Sequence, residues 1–339
     1  MTNLVYKYKV PNNFDENNQE FDIFKNLPDE IYFSPKIEFY KKVRIATNSV
    51  LFNYFKIFKK SCISEENYQK YQKGYKFFLK FIFPKINFSK KRFLLITDEW
   101  TSNYYHWHVY SLKRLLALKR ENLIDGSLLF LPKKYKSYKF ILPSLKKFGV
   151  LENQIVFSPR KSNIKVEEAV LADISQQDPE AFKEIRQILL KNIENNNLNF
   201  GEKIYISRDG QVLRFVENEK EVVELLEKYG FKKVVMDKFS YNEQVAIAAK
   251  AKYAISPHGA GLTNILFMQD NSSILEMVTK PSEAKPNTEY YRLSSMLNFK
   301  YFYQECEIGS RSKVRDFHQG TLIVDLKKLE KNLRLMLNV

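Results

Sequence analysis

Residues 255–267 read "ISPHGAGLTNILF". A β-type run, Tyr253–Ser256, stops at Pro257, and a histidine, two glycines around one alanine and a helix-like run follow. The chain has only ten glycines in 339 residues, and two of them stand here. Glycine between a strand and a helix lets backbone come close to a ligand. The helix start then offers unpaired N–H groups and the positive end of a dipole to an anion. This geometry holds pyrophosphates at the carboxyl ends of parallel strands. His258 can donate to a phosphate oxygen, and Thr263 and Asn264 lie in the first turn. The same glycines also suit tight strand–helix packing, and a G-x-G alone does not decide between the two.

Upstream, "KIYISRDGQVLRFVENE" (203–219) places Arg208 just past the end of an expected strand and Arg214 six residues on. In a parallel sheet that strand end opens on the same side as the glycine turn. Two guanidiniums and a helix N-terminus together make a diphosphate site without a metal. A single arginine is by default a surface ion-pair partner; two placed at strand ends argue for a ligand.

The first half carries "TDEWTSNYYHWHVYSLKRL" (97–115). At helical spacing Asn103, His106 and Tyr110 share one face, while Tyr104, Trp107, Ser111 and Leu115 form the neighbouring buried stripe. His108 stands one step off the first face. A histidine at a helix start can move a proton, and it can equally be a satisfied structural residue. Asp98 and Glu99, at a strand end, are the nearby carboxylates.

Short apolar or β-branched runs alternate with helical patterns, which predicts parallel sheets with helices on both faces. Strands are expected at Phe93–Thr97, Leu128–Leu131, Ile155–Ser158, Ile204–Ser207, Val234–Asp237, Tyr253–Ser256, Ile274–Val278 and Tyr301–Gln304. Helices are expected near 103–120, 138–148, 179–193, 218–229, 241–251, 260–267, 288–298 and 326–337. Gly230 reads as a helix stop, Ser240–Glu243 as a capping box, and Asn218 as an N-cap. The polar stretch "NIENNNLNFGEK" (192–203) marks a boundary. It divides an N-terminal domain, 1–195, from a nucleotide-binding domain, 196–310. The last segment, 311–339, ends in a helix expected to pack back on the first domain.

Hydrophobic residues make up 44% of the chain, enough for a sizeable core, and 28% charged with 15% aromatic residues argue against disorder. The net charge of +16 points to an anionic partner: nucleic acid, a membrane surface or a phosphorylated substrate. Lysine bias from genome composition gives the same number. The basic, aromatic stretch 67–93 suits an anionic membrane surface or a lipid-linked acceptor, or else an ordinary half-exposed helix and loop. Cys62 and Cys306 have neither metal nor disulfide spacing, so a reducing, cytoplasmic setting is expected, peripheral to a membrane at most. No Asp-x-Asp occurs.

Together "NYYHW…LKRL", "IYISRDGQVLRFVENE", "FKKVVMDKFSYNEQVAIAAKAKYAISPHGAGLTNILF" and "SSILEM" resemble glycosyltransferase family 61. The resemblance implies an α/β, GT-B-like fold with two Rossmann-like domains facing a central cleft. It implies an inverting transferase that uses no metal or cofactor and draws on a nucleoside-diphosphate sugar as donor. The acceptor would be a glycan or lipid-linked molecule, as in bacterial surface polysaccharide or lipooligosaccharide synthesis. Carried over, Arg208 and Arg214 bind the diphosphate, and His258, Gly259, Ala260 and Gly261 approach the phosphates. Asn264 supports that turn and Glu276 meets ribose hydroxyls. Many members carry an acidic residue where Tyr110 stands and proline where Lys113 stands, so the base here falls to His106, Asp98 or Glu99. The competing class is a non-enzymatic nucleic-acid or phosphate-ligand binder. It lacks a recognisable nucleic-acid module, and a dinucleotide oxidoreductase lacks the full G-x-G-x-x-G.

Overall fold

A computed structural model describes residues 4–25, 27, 30–32, 34–54, 56–74, 85–86, 90–158, 163–173, 178–193, 198–279, 288–312 and 320–339. Much of the basic stretch 67–93 lies outside these residues. The chain is a mixed α/β protein with two multi-stranded sheets in two compact units. One unit comprises 1–3 and Tyr32–Leu189, the other Leu4–Ile31 and Leu190–Val339. A short pair, β1 (Leu4–Tyr6) and β2 (Glu30–Tyr32), brackets the one-turn helix α1 (Asp22–Lys25).

The sheet of the N-terminal unit contains β3 (Lys36–Ile45), β4 (Leu51–Asn53), β5 (Lys56–Ile57), β6 (Lys85–Ile86) and β7 (Phe93–Leu95). It continues with β8 (Leu128–Leu131), β9 (Ile155–Phe157) and β10 (Ile164–Asp173). Its order is β5-β4-β3-β10-β7-β8-β9, with β6 also on β10. From β10 to β9 the strands are parallel. Short apolar runs such as "FLL" and "LLFL" form the parallel strands because a parallel sheet buries both faces. From β10 to β5 the strands run antiparallel. The long strands β3 and β10 pair over Ile164↔Ile45 to Asp173↔Lys36 and escaped the sequence reading. Their charge-laden "KIEFYKKVRI" and "IKVEEAVLAD" show a core-facing periodicity only where Val43, Ile45, Val166 and Ala169 turn inward.

The C-terminal unit holds β11 (Lys203–Ile206), β12 (Lys232–Val234), β13 (Tyr253–Pro257), β14 (Ser273–Thr279), β15 (Lys300–Ile308) and β16 (Leu322–Ile323). Its order is β12-β11-β13-β14-β15-β16, and all neighbours but β15–β16 are parallel. In chain order this is a 2-1-3-4-5 doubly wound sheet, and the strand order reverses between β11 and β13. β12 ends earlier than expected, because residues Met236–Lys238 close into a 3₁₀ turn. Ser240 and Glu243 form the expected capping box: Glu243 N–H donates to Ser240 Oγ at 3.4 Å, and Ser240 N–H to Glu243 Oε2 at 2.8 Å. Asn218 does not cap its helix. Its amide clasps the backbone of Val324 in both directions, at 2.9 Å each way.

Two expectations about chain ends are corrected. The final helix, Leu326–Leu337, packs on the C-terminal sheet unit. Its stripe Leu329, Leu333 and Met336 joins the core of Tyr205, Val222, Leu226, Phe302 and Cys306, and burial of each such side chain contributes about 1.5–3 kcal/mol. The segment 4–25 also belongs to the C-terminal unit instead of the first domain. Phe21 and Phe24 pack their rings against Tyr291, Tyr301 and Tyr303. The same segment seals the free edge of β15. Asn12 exchanges hydrogen bonds with the backbone of Tyr301, at 2.6 and 3.0 Å. Asn13 does the same with Tyr303, at 2.7 and 3.1 Å. Glu20 accepts from Glu305 N–H at 3.4 Å.

A strand edge left open invites pairing with other chains. Asn13→Ala leaves both backbone groups of buried Tyr303 without their partners, and an unsatisfied buried group costs about 1–3 kcal/mol. We therefore expect a lower urea midpoint for this variant. An unchanged midpoint would mean that water replaces the amide without loss.

Candidate active site

In the C-terminal unit the expected diphosphate residues come together at the point where the strand order reverses. Arg208 follows β11 and the His258–Gly261 turn follows β13, both at carboxyl ends of parallel strands. Open α/β sheets bind ligands at this place, because the flanking connections leave to opposite faces and open a crevice. The helix-like run is a 3₁₀ helix, Ala260–Phe267, starting directly after Gly259. The first N–H groups of any helix lack intrahelical partners. Asn264, fully buried, donates its amide to Gly261 carbonyl at 2.9 Å and holds the turn.

Gly259 is required by proximity. A Cβ built there would lie 2.0 Å from Nη1 of Arg208 and 2.9 Å from its Cζ. The guanidinium therefore rests on the glycine backbone, where no other residue leaves room. Arg208 is steadied by one bond, Nε–H to Leu213 carbonyl at 3.1 Å. Burial, then the neighbouring Arg214, pushes its pKa down to about 10. Arg214 is also lowered, by burial. Its Nε is buried with no hydrogen-bond partner among the described residues. Arg214 further adopts φ +58°, a left-handed conformation that costs a non-glycine residue about 1–3 kcal/mol. Two desolvated guanidiniums that repel each other, one on strained backbone, form a site that an anion would relieve.

His258 stands beside them with its side chain 12% exposed. Its Nδ1 is 2.5 Å from Glu276 Oε1, and Glu276 Oε2 accepts from Tyr301 O–H at 2.5 Å. Glu276 is fully buried in the middle of β14, with both oxygens engaged inside the protein. As placed it orients the His258 ring through Nδ1, and its two oxygens are held by His258 and Tyr301. Tyr290, which no motif or spacing singles out, lies edge-on to the His258 ring at 5.2 Å and reaches Thr263 at 3.4 Å. Burial raises its phenol above the ordinary value.

The candidates of the N-terminal unit separate. Asp98 is buried and fully engaged. Oδ1 accepts from Trp100 and Thr101 N–H at 3.0 and 3.2 Å, and Oδ2 takes Arg114 Nη1 at 2.7 Å. Such a carboxylate, with both oxygens engaged, fixes its turn. Glu99 is partly buried and accepts from Ile63 N–H at 3.1 Å and the Asn67 amide at 3.5 Å. Burial raises its pKa above the ordinary carboxylate value, and Asp98 adds to this.

The helix α2 (Glu65–Lys73) carries Asn67, and the next helix among the described residues, α3, carries His106 and His108. That helix runs from Tyr104–His106 through a π-helical stretch, Trp107–Ser111, into Leu112–Arg120. The wider π turn is common at functional sites and is invisible to 3.6-residue spacing. Asn103 leaves the expected face to cap the helix, accepting from Tyr105 N–H at 2.8 Å. His106 does pair with Tyr110, ring on ring at 5.3 Å and 21°. His108 is buried. Its Nδ1–H donates to Tyr104 carbonyl at 2.8 Å, and burial pushes its pKa down to about 4, which makes it a neutral structural residue. Lys113 lays its ammonium over Phe182 at 4.6 Å and Tyr110 at 5.6 Å.

Among the described residues no group of three or more His, Cys, Asp or Glu side chains is arranged to hold a metal ion, and no helix is long and apolar enough to cross a membrane. The C-terminal unit is thus a doubly wound α/β sheet with two arginines at its switch point. The model of the Glycosyltransferase 61 family matches residues 104–275, half of the chain, and the chain belongs to that family. It is therefore a sugar-transferring enzyme with a donor and an acceptor substrate. A comparison with curated proteins found no match.

Proposed function

We propose that the protein is an inverting, metal-independent glycosyltransferase that uses a nucleoside-diphosphate sugar. The observation that carries this reading is the Arg208–Arg214–His258 cluster at the switch point, with Gly259 shaped to the Arg208 guanidinium. An acceptor hydroxyl attacks the anomeric carbon, the bond to the nucleoside diphosphate breaks, and a base takes the hydroxyl proton. Negative charge grows on the leaving phosphate. Arg208 and Arg214 meet it with fixed positive charge, the role a divalent cation fills elsewhere, and His258 Nε2 and the N–H groups at Ala260–Gly261 meet it with hydrogen bonds. Glu276 and Tyr301 position His258 for this. Glu99 is the base: a carboxyl with a raised pKa accepts a proton near neutrality better than an ordinary one.

Asp98 holds the turn that carries Glu99, and His106 with Tyr110 forms the wall of the acceptor side. The acceptor is a glycan, in a bacterial surface polysaccharide or lipooligosaccharide, and a lipid-linked form would bring the basic protein to the cytoplasmic membrane face.

A screen of nucleotide-sugars for slow donor hydrolysis identifies the donor, and calorimetry with UDP, GDP, ADP and CDP identifies the nucleotide. Transfer should persist in excess chelator. Complete loss, restored by manganese or magnesium, would refute metal independence. No binding of any nucleoside diphosphate would overturn the donor site.

A further inference from the structure

The chain has two tryptophans, and they are opposites. Trp107 is fully buried; Trp100 is 56% exposed. An exposed indole forgoes a large hydrophobic gain, so its display calls for a reason. The turn that displays it is held firmly. Asp98 Oδ1 receives the N–H groups of Trp100 and Thr101. Asp98 Oδ2 is clamped by Arg114 Nη1, which also reaches Ile96 carbonyl at 3.4 Å. Thr101 Oγ1 bonds Tyr135 hydroxyl at 2.9 Å and donates to Asp98 carbonyl at 3.1 Å. A buried ion pair and six further hydrogen bonds, among them Asp98 N–H to Thr101 Oγ1 at 2.9 Å, thus fix a two-residue display, Glu99 and Trp100, just beyond the carboxyl end of β7. On one side the indole meets His106, 5.9 Å between ring centres, and His106 is backed by Tyr110.

We propose that Trp100 is the platform on which a pyranose ring of the acceptor stacks, which rests on the transferase reading above. The apolar C–H face of a pyranose matches the face of an indole, and its rim hydroxyls need polar partners beside the ring. Glu99 is the neighbouring residue that supplies one. A rigid, two-torsion aromatic orders little on binding, so the stacking energy is retained. His106 and Tyr110 support the indole edge and keep it from folding back. Asp98 and Arg114 act through the turn and are positioning residues.

Because Trp107 is buried, iodide quenching of the native protein reports Trp100. The probes are methyl β-galactoside, methyl β-glucoside, methyl α-mannoside and N-acetylglucosamine, with sorbitol as open-chain control. At least one glycoside should protect the fluorescence from iodide, and sorbitol should not. With an acceptor found by transfer, Trp100→Ala should raise its KM by about tenfold or more, and Trp100→Phe, which keeps a ring, by less. Donor hydrolysis and nucleoside diphosphate affinity should not change, since the donor residues lie in the other unit. Absence of protection by every glycoside, an unchanged KM in Trp100→Ala, or a Phe variant no better than Ala would each overturn the proposal. Loss of nucleotide binding by the unmodified protein would instead strike the transferase reading, leaving the quenching result to judge Trp100 alone.

Discussion

Gly259→Ala should weaken nucleoside diphosphate binding about 10- to 100-fold, as much as Arg208→Ala itself. A charge-assisted hydrogen bond is worth about 1.5–3 kcal/mol, and each 1.4 kcal/mol is tenfold in affinity. The added methyl would occupy the Arg208 guanidinium position, 2.0 Å from Nη1. That group must swing away and give up its bond to Leu213 carbonyl. The paired variant should therefore show little further loss: Arg208→Ala with Gly259→Ala should resemble either alone, because both remove one cation from one place. Gly261→Ala is the control. Its methyl meets only Ile206 Cγ2, at 3.2 Å, and should be much milder. Calorimetry on folded protein decides; a Gly259→Ala variant that binds like the unmodified protein would show that Arg208 does not grip the ligand from where it stands.

Glu99→Gln should lower turnover by about 10²- to 10⁴-fold, the usual contribution of a general base, and leave nucleotide affinity intact. The pH dependence carries the sharper signature. The base must be ionised, so the acidic limb of the kcat profile should lie above the ordinary carboxylate value of about 4.3. Stability gives an independent check. In the folded protein the Glu99 pKa is raised, so the native state holds that proton more tightly than the unfolded chain does. Its contribution is favourable at pH below the unfolded value and is lost as pH rises through the folded value. Glu99→Gln should therefore be relatively more stable than the unmodified protein above that range. His106→Ala is the rival. Should it, and not Glu99→Gln, abolish turnover with retained nucleotide binding, the proton goes to the histidine.

The C-terminal sheet and the turn after β13 were legible because their signals are local. Parallel strands buried on both faces are short apolar runs, and glycine, proline and the capping box punctuate them. Arg208, the glycine turn and their common sheet end follow from that pattern. What stayed hidden depends on distance or on departures from ideal spacing. The role of Glu276 is set by Tyr301 on the next strand, 25 residues on. The face of α3 was misjudged at Asn103 because a cap and a π turn break the 3.6-residue count. Asp98 and Glu99, adjacent and alike in sequence, are told apart only by Arg114, 16 residues away from Asp98. Strand β3 hides because only Val43 and Ile45 of its ten residues are buried, and β10 because the charged pair Glu167 and Glu168 interrupts its alternation.

The clasp of Asn12 and Asn13 on β15 bears on how the protein is made. Its partners are separated by 289 and 290 residues. A ribosome emits the asparagines well before Tyr301 and Tyr303. Contacts of this separation are slow to form, since a long loop must close before any gain is felt. The N-terminal sheet can collapse during synthesis, as leading domains commonly do. The segment 4–25 must wait until β15 has emerged. Its docking then follows synthesis of β15, and pulse-labelled amide exchange during refolding should find Tyr301 and Tyr303 among the last residues of the C-terminal unit to become protected.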